Sequence, residues 1–405
     1  MANEFTSILA TFDKDPHAYY EQLRDQGDVV WDAGMNGWVV LSYELCRYIE
    51  EREDFFRHPY ADANETMLDI KGGPRNITVL QGEEHQKLRR YLARMFSPKA
   101  VQEYTRDFLE PITTYLFDRI ASKGRAELAS EIADQLPPRV FVALLGMDWM
   151  DEALVTRELV LHHAVMDWIG GNRSAEVTQK ARDASHELNA ILRPEIHRRK
   201  QNPGADIVSR LWAEAPEVFA EVSDEDIVAI CRELFLAGSD TSVHAIANAY
   251  YLLLTQPDIL EAVANDRGPT LDNFIEESLR LLTVVQYRFR VANQDVELGG
   301  VAIKHNDLLI PINAAANRDP VRFECPHLVD LKRKQPRAHL AFNMGPRMCV
   351  GAPLARAELR EVISAFIDRM PNVRLERNSA EPHFANIYTR SFRPLHVTFD
   401  AIMPS

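Results

Sequence analysis

The sequence predicts a mainly α-helical fold with a small β subdomain, crossed by one long central helix. Apolar residues recur at helical spacing over most of the chain, whereas runs with strand character are few and short. The longest helical pattern, over residues 223–256, would be about 50 Å long at ~1.5 Å per residue, which is enough to cross a domain. The sequence contains no internal repeat and no low-complexity linker, so we expect residues 1–405 to form a single domain.

Helices are expected wherever the apolar spacing of a helix persists. In chain order these segments are 16–26, 43–52, 84–96, 101–121, 149–169, 174–200, 223–256, 271–282 and 353–370. Short runs rich in β-branched and aromatic residues predict the strands. They are Val29–Trp31 with Trp38–Leu41, then Val296–Ile303, Leu308–Pro311, and Val373–Leu375 with His396–Phe399.

The helix over 223–256 has start and stop signals and an unusual middle. Ser223 and Asp226 resemble a capping box, and Pro257 follows the last helical residues. The middle reads Ala-Gly-Ser-Asp-Thr over 237–241, residue types that weaken a helical hydrogen-bond ladder and are common at kinks. Two interpretations follow: small residues that let a neighbouring helix approach closely, or an opening where a small molecule meets the backbone beside an acid and an alcohol.

Composition and charge exclude several classes of protein. The chain has 46 Lys and Arg against 60 Asp and Glu, a net charge of −14, and such an acidic chain is a poor nucleic-acid binder. No apolar run approaches the roughly 18 residues of a membrane span, and the N-terminus lacks the basic region of a signal peptide. Four cysteines lie far apart without a CxxC motif, which indicates a reducing compartment. We therefore expect a soluble cytoplasmic protein, monomeric by default, without nucleic-acid or membrane partners.

One cysteine lies in a distinctive loop. Residues 342–351 read Phe-Asn-Met-Gly-Pro-Arg-Met-Cys-Val-Gly, punctuated by Gly and Pro just before a predicted helix. The helix N-terminus and Arg347 would lower the pKa of the Cys349 thiol, as a soft metal centre requires. The remaining cysteines have the context of small buried hydrophobes: Cys46, Cys231 and Cys325.

This loop matches the complete haem-binding signature of the cytochrome P-450 superfamily, and the chain resembles the soluble bacterial members over nearly its whole length. The signature positions are Phe342, Gly345, Arg347, Cys349 and Gly351. The resemblance implies one haem domain over residues 1–405, with haem b as cofactor, Cys349 as the axial ligand of the iron and the long helix over the haem. It also implies a haem-thiolate monooxygenase that inserts one oxygen atom of O2 into a C–H bond of an organic substrate.

A weaker motif gains weight from its position between the long helix and this loop. Glu277 and Arg280 resemble the family's ExxR pair, which is structural and holds the proximal loop. A third partner in the family is an arginine further along the chain. The corresponding stretch, 326–330, contains no arginine, so either His327 replaces it or the network is smaller.

Cations for the haem propionates are also implied by the resemblance. His85 and Arg89, which share a helix face at i,i+4, resemble the propionate-binding HxxxR motif. Arg290 and Arg347 are the other expected clamps, because buried carboxylates need cations or hydrogen-bond donors.

Asp240 and Thr241 match the acid–alcohol pair of the family's AGx(D/E)T motif, which supplies protons for O–O cleavage. An intact pair favours a monooxygenase. Three alternatives stay open: a haem-thiolate enzyme with non-oxygenase chemistry, a relative whose substrate carries a polar group bound by Glu233, and a haem-free helical binding protein.

Electrons are expected to come from a separate ferredoxin-type protein, because the chain has no room for a flavin or nicotinamide module after the haem domain. Residues 85–99 are basic and contain no acid, which predicts a docking surface for an acidic partner. Its cations are Lys87, Arg89, Arg90, Arg94 and Lys99.

The predicted substrate pocket is small and mostly apolar, with one unexpected acid. Glu233 lies two helical turns before Thr241 on the same face. It is either a structural pair with Arg288, His162, His163 or a neighbouring arginine, or a polar contact, together with Gln286, for a hydroxyl- or amine-bearing substrate. The other expected pocket residues are Leu236, Ala237, Val284, Val285 and Ile387.

Overall fold

The computed structural model describes residues 7–11, 14–376 and 379–402, and its helices account for most of them. The α-helices are α1 (His17–Arg24), α2 (Tyr43–Glu51), α3 (Glu65–Lys71), α4 (Gly82–Met95), α5 (Pro98–Tyr104), α6 (Glu110–Ala121), α7 (Leu136–Leu144), α8 (Glu152–Ile169), α9 (Ala175–Gln201), α10 (Ile207–Glu214), α11 (Asp224–Thr255), α12 (Pro257–Asn265), α13 (Pro269–Leu281), α14 (Asn313–Ala316) and α15 (Ala352–Arg369). A π-helical turn, Thr105–Leu109, joins α5 to α6.

The strands form small, mostly antiparallel sheets beside the helices. They are β1 (Val29–Asp32), β2 (Gly37–Val40), β3 (Phe56–Arg57), β4 (Arg125–Glu127), β5 (Arg290–Ala292), β6 (Val296–Leu298), β7 (Val301–Ile303), β8 (Leu308–Pro311), β9 (Arg374–Leu375), β10 (His383–Ala385), β11 (Ser391–Arg393) and β12 (His396–Thr398). The largest sheet has the order β1-β2-β8-β5-β3, with β2 and β8 parallel. A second sheet has the order β4-β12-β9, and β6–β7 and β10–β11 are hairpins.

The structure confirms the predicted mainly α fold with a small β region. Each predicted helix is present within a few residues of its predicted bounds. The predicted strand over 296–303 is instead a hairpin that turns at Gly299 and Gly300, both with positive φ. The helices that the sequence did not predict are short, and all nine residues of α7 are buried. Its first turn contains two prolines, a residue type with low helix propensity, so the sequence did not indicate a helix there.

Helix α11 occupies the centre of the fold and packs against α7, α9, α13 and α15. Its capping box forms as predicted, with Ser223 and Asp226 each satisfying the other's backbone N–H. The helix runs without interruption through residues 237–241. A Cβ added at Gly238 would overlap the ring of Phe141, so this glycine allows close approach to α7. Every helix in the described part of the chain is too short or too polar to cross a bilayer.

Candidate active site

A cavity of about 340 Å³ lies where the middle of α11 approaches the loop before α15. Its lining includes Ala237 and Thr241 from α11, and Phe342 and Cys349 from the loop. The two segments that the sequence analysis singled out therefore meet at one site, although more than 100 positions separate them.

Backbone contacts and glycines fix the shape of the loop 342–351. The Cys349 N–H donates to the Phe342 carbonyl at 2.8 Å. Gly345 has a φ of +64°, and a Cβ added there would lie 2.7 Å from the Glu50 carbonyl oxygen, so a side chain is excluded on both counts. Gly351 is the N-cap of α15, and the loop thus presents Cys349 at the start of a helix.

The Cys349 thiol faces the cavity and is surrounded by protein. The residue is solvent-accessible and lines the cavity. Burial raises the pKa of this thiol and outweighs the opposing effects of the Gly351 N–H, Arg288 and Arg89. The expectation of a lowered pKa was therefore wrong, because desolvation exceeds the effect of the helix N-terminus and the cations. Coordination of a soft metal ion would displace the proton from such a thiol.

Three arginines line the cavity near the loop. Arg347 donates to the Leu80 carbonyl and to Gln81, both at 2.9 Å, and forms an ion pair with Glu53. Arg290 forms an ion pair with Glu50, while its buried Nε has no hydrogen-bond partner in the described part of the chain. Arg288, which the sequence analysis did not assign to the cofactor, also lines the cavity.

His85 and Arg89 lie on α4, just outside the cavity lining. His85 is buried, its Nδ1 is without a partner among the described residues, and burial lowers its pKa to about 4. Burial also lowers the pKa of Arg89. Neutral His85 and charged Arg89 are donors that a buried carboxylate could use.

The acid and the alcohol of α11 occupy different environments. Thr241 lines the cavity, and its hydroxyl donates to the Ala237 carbonyl at 2.7 Å. Asp240 is fully buried behind the lining, 3.6 Å from Nε2 of His163 and 3.9 Å from Nε2 of His244. Burial raises the pKa of Asp240 to about 6, so the carboxyl can hold or release a proton near neutral pH.

Glu233 forms a buried ion pair with a residue that the sequence analysis did not name. Its Oε2 accepts from Nζ of Lys71 at 2.8 Å and from Nδ2 of Asn76 at 2.6 Å. The expected partners were wrong: His162 lies 3.4 Å from Glu158, His163 approaches Asp240, and Arg288 forms no ion pair with Glu233. Lys71 ends α3, so the contact depends on how that short helix meets α11. Both Lys71 and Glu233 line the cavity.

The cavity walls agree with the sequence analysis at five positions, Glu233 among them, and differ at two. The lining includes Leu236, Ala237, Val284 and Val285. Gln286 is not part of it, because its amide turns back to the Thr283 carbonyl. Ile387 is not part of it either, because it packs in the cluster around Tyr19 and Tyr20, and its neighbour Tyr388 reaches the cavity instead.

Behind the loop, Glu277 is held by two arginines. It forms a fully buried pair with Arg280 at 2.7 Å, as the ExxR motif implied. Arg333 completes the network, with its Nε 2.7 Å from Oε1 of Glu277. The expectation that His327 replaces this arginine, or that the network is smaller, was wrong. Arg333 lies only three residues beyond the stretch considered, and the Asp330 N–H within that stretch also donates to Glu277 at 2.8 Å.

A second buried carboxyl lines the cavity without having been predicted. Glu358 of α15 accepts from the Ser242 hydroxyl at 2.5 Å, and its Oε1 has no partner among the described residues. Burial raises the pKa of Glu358 to about 8. The sequence did not indicate that Glu358 is buried, because an acid on a helix is normally exposed to solvent.

The basic surface of residues 85–99 is partly neutralised. Lys87 pairs with Glu83 at 2.8 Å and Arg94 pairs with Glu217 at 3.4 Å. Both pairs are exposed, so they contribute little energy and can rearrange. Arg90 and Lys99 are exposed as well.

Comparisons with known proteins agree on one family. The family model described as Cytochrome P450 matches residues 156–371. Pulcherriminic acid synthase from Bacillus subtilis is 29% identical over 410 residues, which is 98% of both chains. The 6-deoxyerythronolide B hydroxylase from Saccharopolyspora erythraea is 33% identical over 387 residues, 90% of this chain and 91% of that one. The structure of P450BioI, solved with an acyl carrier protein ligated to hexadec-9Z-enoic acid, has a TM-score of 0.86 at 25% identity and covers 95% of this chain and 99% of its own.

Proposed function

Because the chain belongs to the cytochrome P450 family, we propose that it is a haem-thiolate monooxygenase that hydroxylates a C–H bond of a small, mostly apolar substrate. The observation that carries the proposal is the meeting of Cys349 and Thr241 in one cavity. A soft ligand for iron and a hydroxyl for proton transfer are then both in contact with whatever the cavity binds. We take residues 1–405 as one haem domain.

The residues present fit haem b. Cys349 would hold the iron, because it lines the cavity. The propionates would meet Arg288, Arg290 and Arg347, and the unpartnered Nε of Arg290 and Nδ1 of His85 are orphaned polar atoms that carboxylates would satisfy. When bound, haem supplies an iron centre that activates O2, with the thiolate favouring O–O cleavage.

The α11 residues would manage protons at this site. The Thr241 hydroxyl can rotate away from the Ala237 carbonyl and donate into the cavity. Asp240, one residue earlier, can supply the next proton because its pKa is about 6. Leu236, Val284 and Val285 keep bulk water from the reacting centre.

The apolar walls favour an apolar substrate, and one observation favours a second candidate. The Lys71–Glu233 pair lines the same cavity, so a substrate with a hydroxyl or amine group could bind at Glu233. Lys71 and Asn76 already satisfy Oε2 of Glu233, which supports a structural role for the pair. A haem-thiolate enzyme with non-oxygenase chemistry would not need the Asp240–Thr241 pair.

We further propose that the electron donor is a ferredoxin-type protein that docks at the basic surface of residues 85–99. The protein would act in the cytoplasm, which the four free cysteines support, and as a monomer by default.

The test is to follow the Soret band of the purified ferric protein while it is titrated with matched apolar and hydroxylated compounds. Cys349→Ser is the variant, and Cys325→Ser is the matched control, because Cys325 is exposed in the structure and not buried as the sequence analysis expected. We expect Cys349→Ser to lose the thiolate spectrum and the hydroxylation, and Cys325→Ser to retain both. Retention of a thiolate spectrum in Cys349→Ser would refute the assignment.

A further inference from the structure

Three side chains with metal-ligating atoms converge behind Thr241. His163 comes from α8, while Asp240 and His244 lie four residues apart on α11, and their ligand atoms are all within 4.8 Å of one another. We propose that these residues form a zinc site adjacent to the cavity. The proposal does not depend on the monooxygenase activity, because the three residues and their spacing are independent of the haem.

The spacing of the three groups fits an ion better than direct hydrogen bonds. Oδ1 of Asp240 is 3.6 Å from Nε2 of His163, and Oδ2 is 3.9 Å from Nε2 of His244. Both distances exceed the hydrogen-bond range. Ligands that share a tetrahedral zinc ion at about 2.0–2.1 Å lie about 3.4 Å apart, so small side-chain rotations would bring these atoms to a common ion.

The burial of Asp240 is an independent observation that points to a cation. The residue is 0% exposed, and neither carboxylate oxygen has a hydrogen-bond partner in the described part of the chain. The other groups that act on it are Arg393 and the Thr389 hydroxyl, which favour the charged form, and Asp134, which opposes it. An unpartnered buried carboxylate is costly, and a divalent ion between it and the two imidazoles would satisfy it.

His244 is oriented as a metal-bound histidine usually is. Its Nδ1 lies 2.7 Å from the Ser391 hydroxyl, which leaves Nε2 directed at Asp240. A hydrogen bond to the remote ring nitrogen fixes the tautomer and orientation that a metal needs. His244 is buried and therefore neutral, the form that coordinates metals.

His163 gives access to the site. Its side chain is 44% exposed, so an ion can enter from solvent, and water can take the fourth position. Two imidazoles and one carboxylate are a donor set for Zn²⁺, whereas Ca²⁺ and Mg²⁺ prefer oxygen ligands. Bound zinc would hold Asp240 as a carboxylate and prevent it from passing protons to Thr241, so occupancy would inhibit turnover.

The experiment is isothermal titration of the chelator-treated holoprotein with zinc chloride. The variants are His163→Ala, His244→Asn and Ser391→Ala. The matched control is His186→Ala, because His186 is also an exposed histidine beside an aspartate, 2.6 Å from Asp69. We expect one zinc per chain in the wild type, at least tenfold weaker binding in the two histidine variants, about tenfold weaker binding in Ser391→Ala, and no change in the control.

Absence of zinc binding to the wild type would overturn the proposal, as would equal binding by His163→Ala and the wild type. The haem spectrum and circular dichroism of each variant report whether it is folded. If His244→Asn does not fold, His163→Ala alone decides the outcome, since His163 is at the surface. A calcium chloride titration should give no heat at this site, and competition by calcium would also contradict the assignment.

Discussion

The ammonium of Lys71 and the carboxylate of Glu233 lie 2.8 Å apart in the cavity lining, although 162 positions separate them in the chain. Their side chains are only 2% and 9% exposed. A buried pair of this kind offsets the cost of two desolvated charges only while both partners are present. The pair therefore joins α3 to α11 at the cavity, and each charge offsets the desolvation cost of the other.

Removal of one partner should destabilise the protein more than removal of both. Lys71→Met leaves the buried Glu233 carboxylate unpaired, and we expect a loss of about 3 kcal/mol in the free energy of unfolding. The double variant Lys71→Met/Glu233→Gln should recover most of that loss. Urea unfolding followed by circular dichroism measures both. Lys180→Met, which breaks the exposed Lys180–Glu176 pair, is the control and should change stability by less than about 1 kcal/mol. Equal losses in the single and double variants would contradict the pairing.

Asp240→Asn should slow the proton-dependent part of the reaction without impairing substrate binding. The amide cannot release a proton near neutral pH, so we expect kcat to fall by about 10²-fold or more. Substrate affinity, read from the Soret shift, should stay within about twofold of the wild type, because Asp240 does not line the cavity. Ser239→Ala, a neighbouring buried position on α11, is the control. A variant with normal kcat would remove Asp240 from the mechanism.

Arg333→Ala should be far more damaging than Arg337→Ala. Arg333 is nearly buried and pairs with the fully buried Glu277, whereas Arg337 is 72% exposed and contacts the adjacent Glu276. We expect a loss of about 3 kcal/mol for Arg333→Ala, with lower haem retention because the network lies behind the cysteine loop. Arg337→Ala should cost less than about 1 kcal/mol. Haem content per chain and urea unfolding test both variants, and similar behaviour would show that Arg333 is dispensable.

Glu358 should make the protein less stable as the pH rises. Its pKa is about 8 in the folded chain, against 4.5 for an ordinary glutamate, so the folded state binds the extra proton between these values. The Glu358 contribution to stability is therefore fully present below about pH 4.5 and is lost as the pH rises to about 8. Glu358→Gln should remove about 3 kcal/mol of this decline between about pH 5.5 and about pH 8.5. Glu297→Gln, at an exposed position on β6, should leave the pH dependence of urea unfolding unchanged.

Reversal of charge on the basic surface should slow electron delivery by an acidic donor. Arg90→Glu/Lys99→Glu changes two exposed cations, and we expect the bimolecular reduction rate to fall by about tenfold at low salt. The difference from the wild type should shrink at high salt because screening removes the steering. Lys180→Glu/Lys200→Glu on α9 imposes the same change in net charge elsewhere and serves as control. Stopped-flow reduction with a plant-type or bacterial ferredoxin measures the rate, and equal slowing by both double variants would argue against a specific docking surface.

The sequence indicated those parts of the site that lie in contiguous motifs. The loop around Cys349 and the Asp240–Thr241 pair each resemble a local family motif, and the structure places Cys349 and Thr241 in one cavity. The long helices were predicted from the apolar spacing of neighbouring residues, which is also a local pattern. By contrast, α7 is short and begins with two prolines, Pro137 and Pro138, so the sequence did not indicate a helix there.

The partners of buried charges could not be predicted in this way. Lys71 ends a short helix, Arg333 lies in an irregular segment, and each meets its acid only through the tertiary fold. The prediction that Gln286 and Ile387 face the cavity was wrong for a related reason. They lie outside helices and strands, where no regular period fixes which side of the backbone faces the cavity.

The contact between Gly238 and Phe141 has a consequence for attempts to reshape the enzyme. Both residues line the cavity, and the ring of Phe141 occupies the space that a side chain at position 238 would need. A larger residue at 238 alone would therefore clash with the ring of Phe141, and a smaller residue at 141 alone would leave a void. Mutant libraries that vary these positions one at a time would score both as intolerant. Libraries that vary them together would reach cavity shapes that no single substitution can produce.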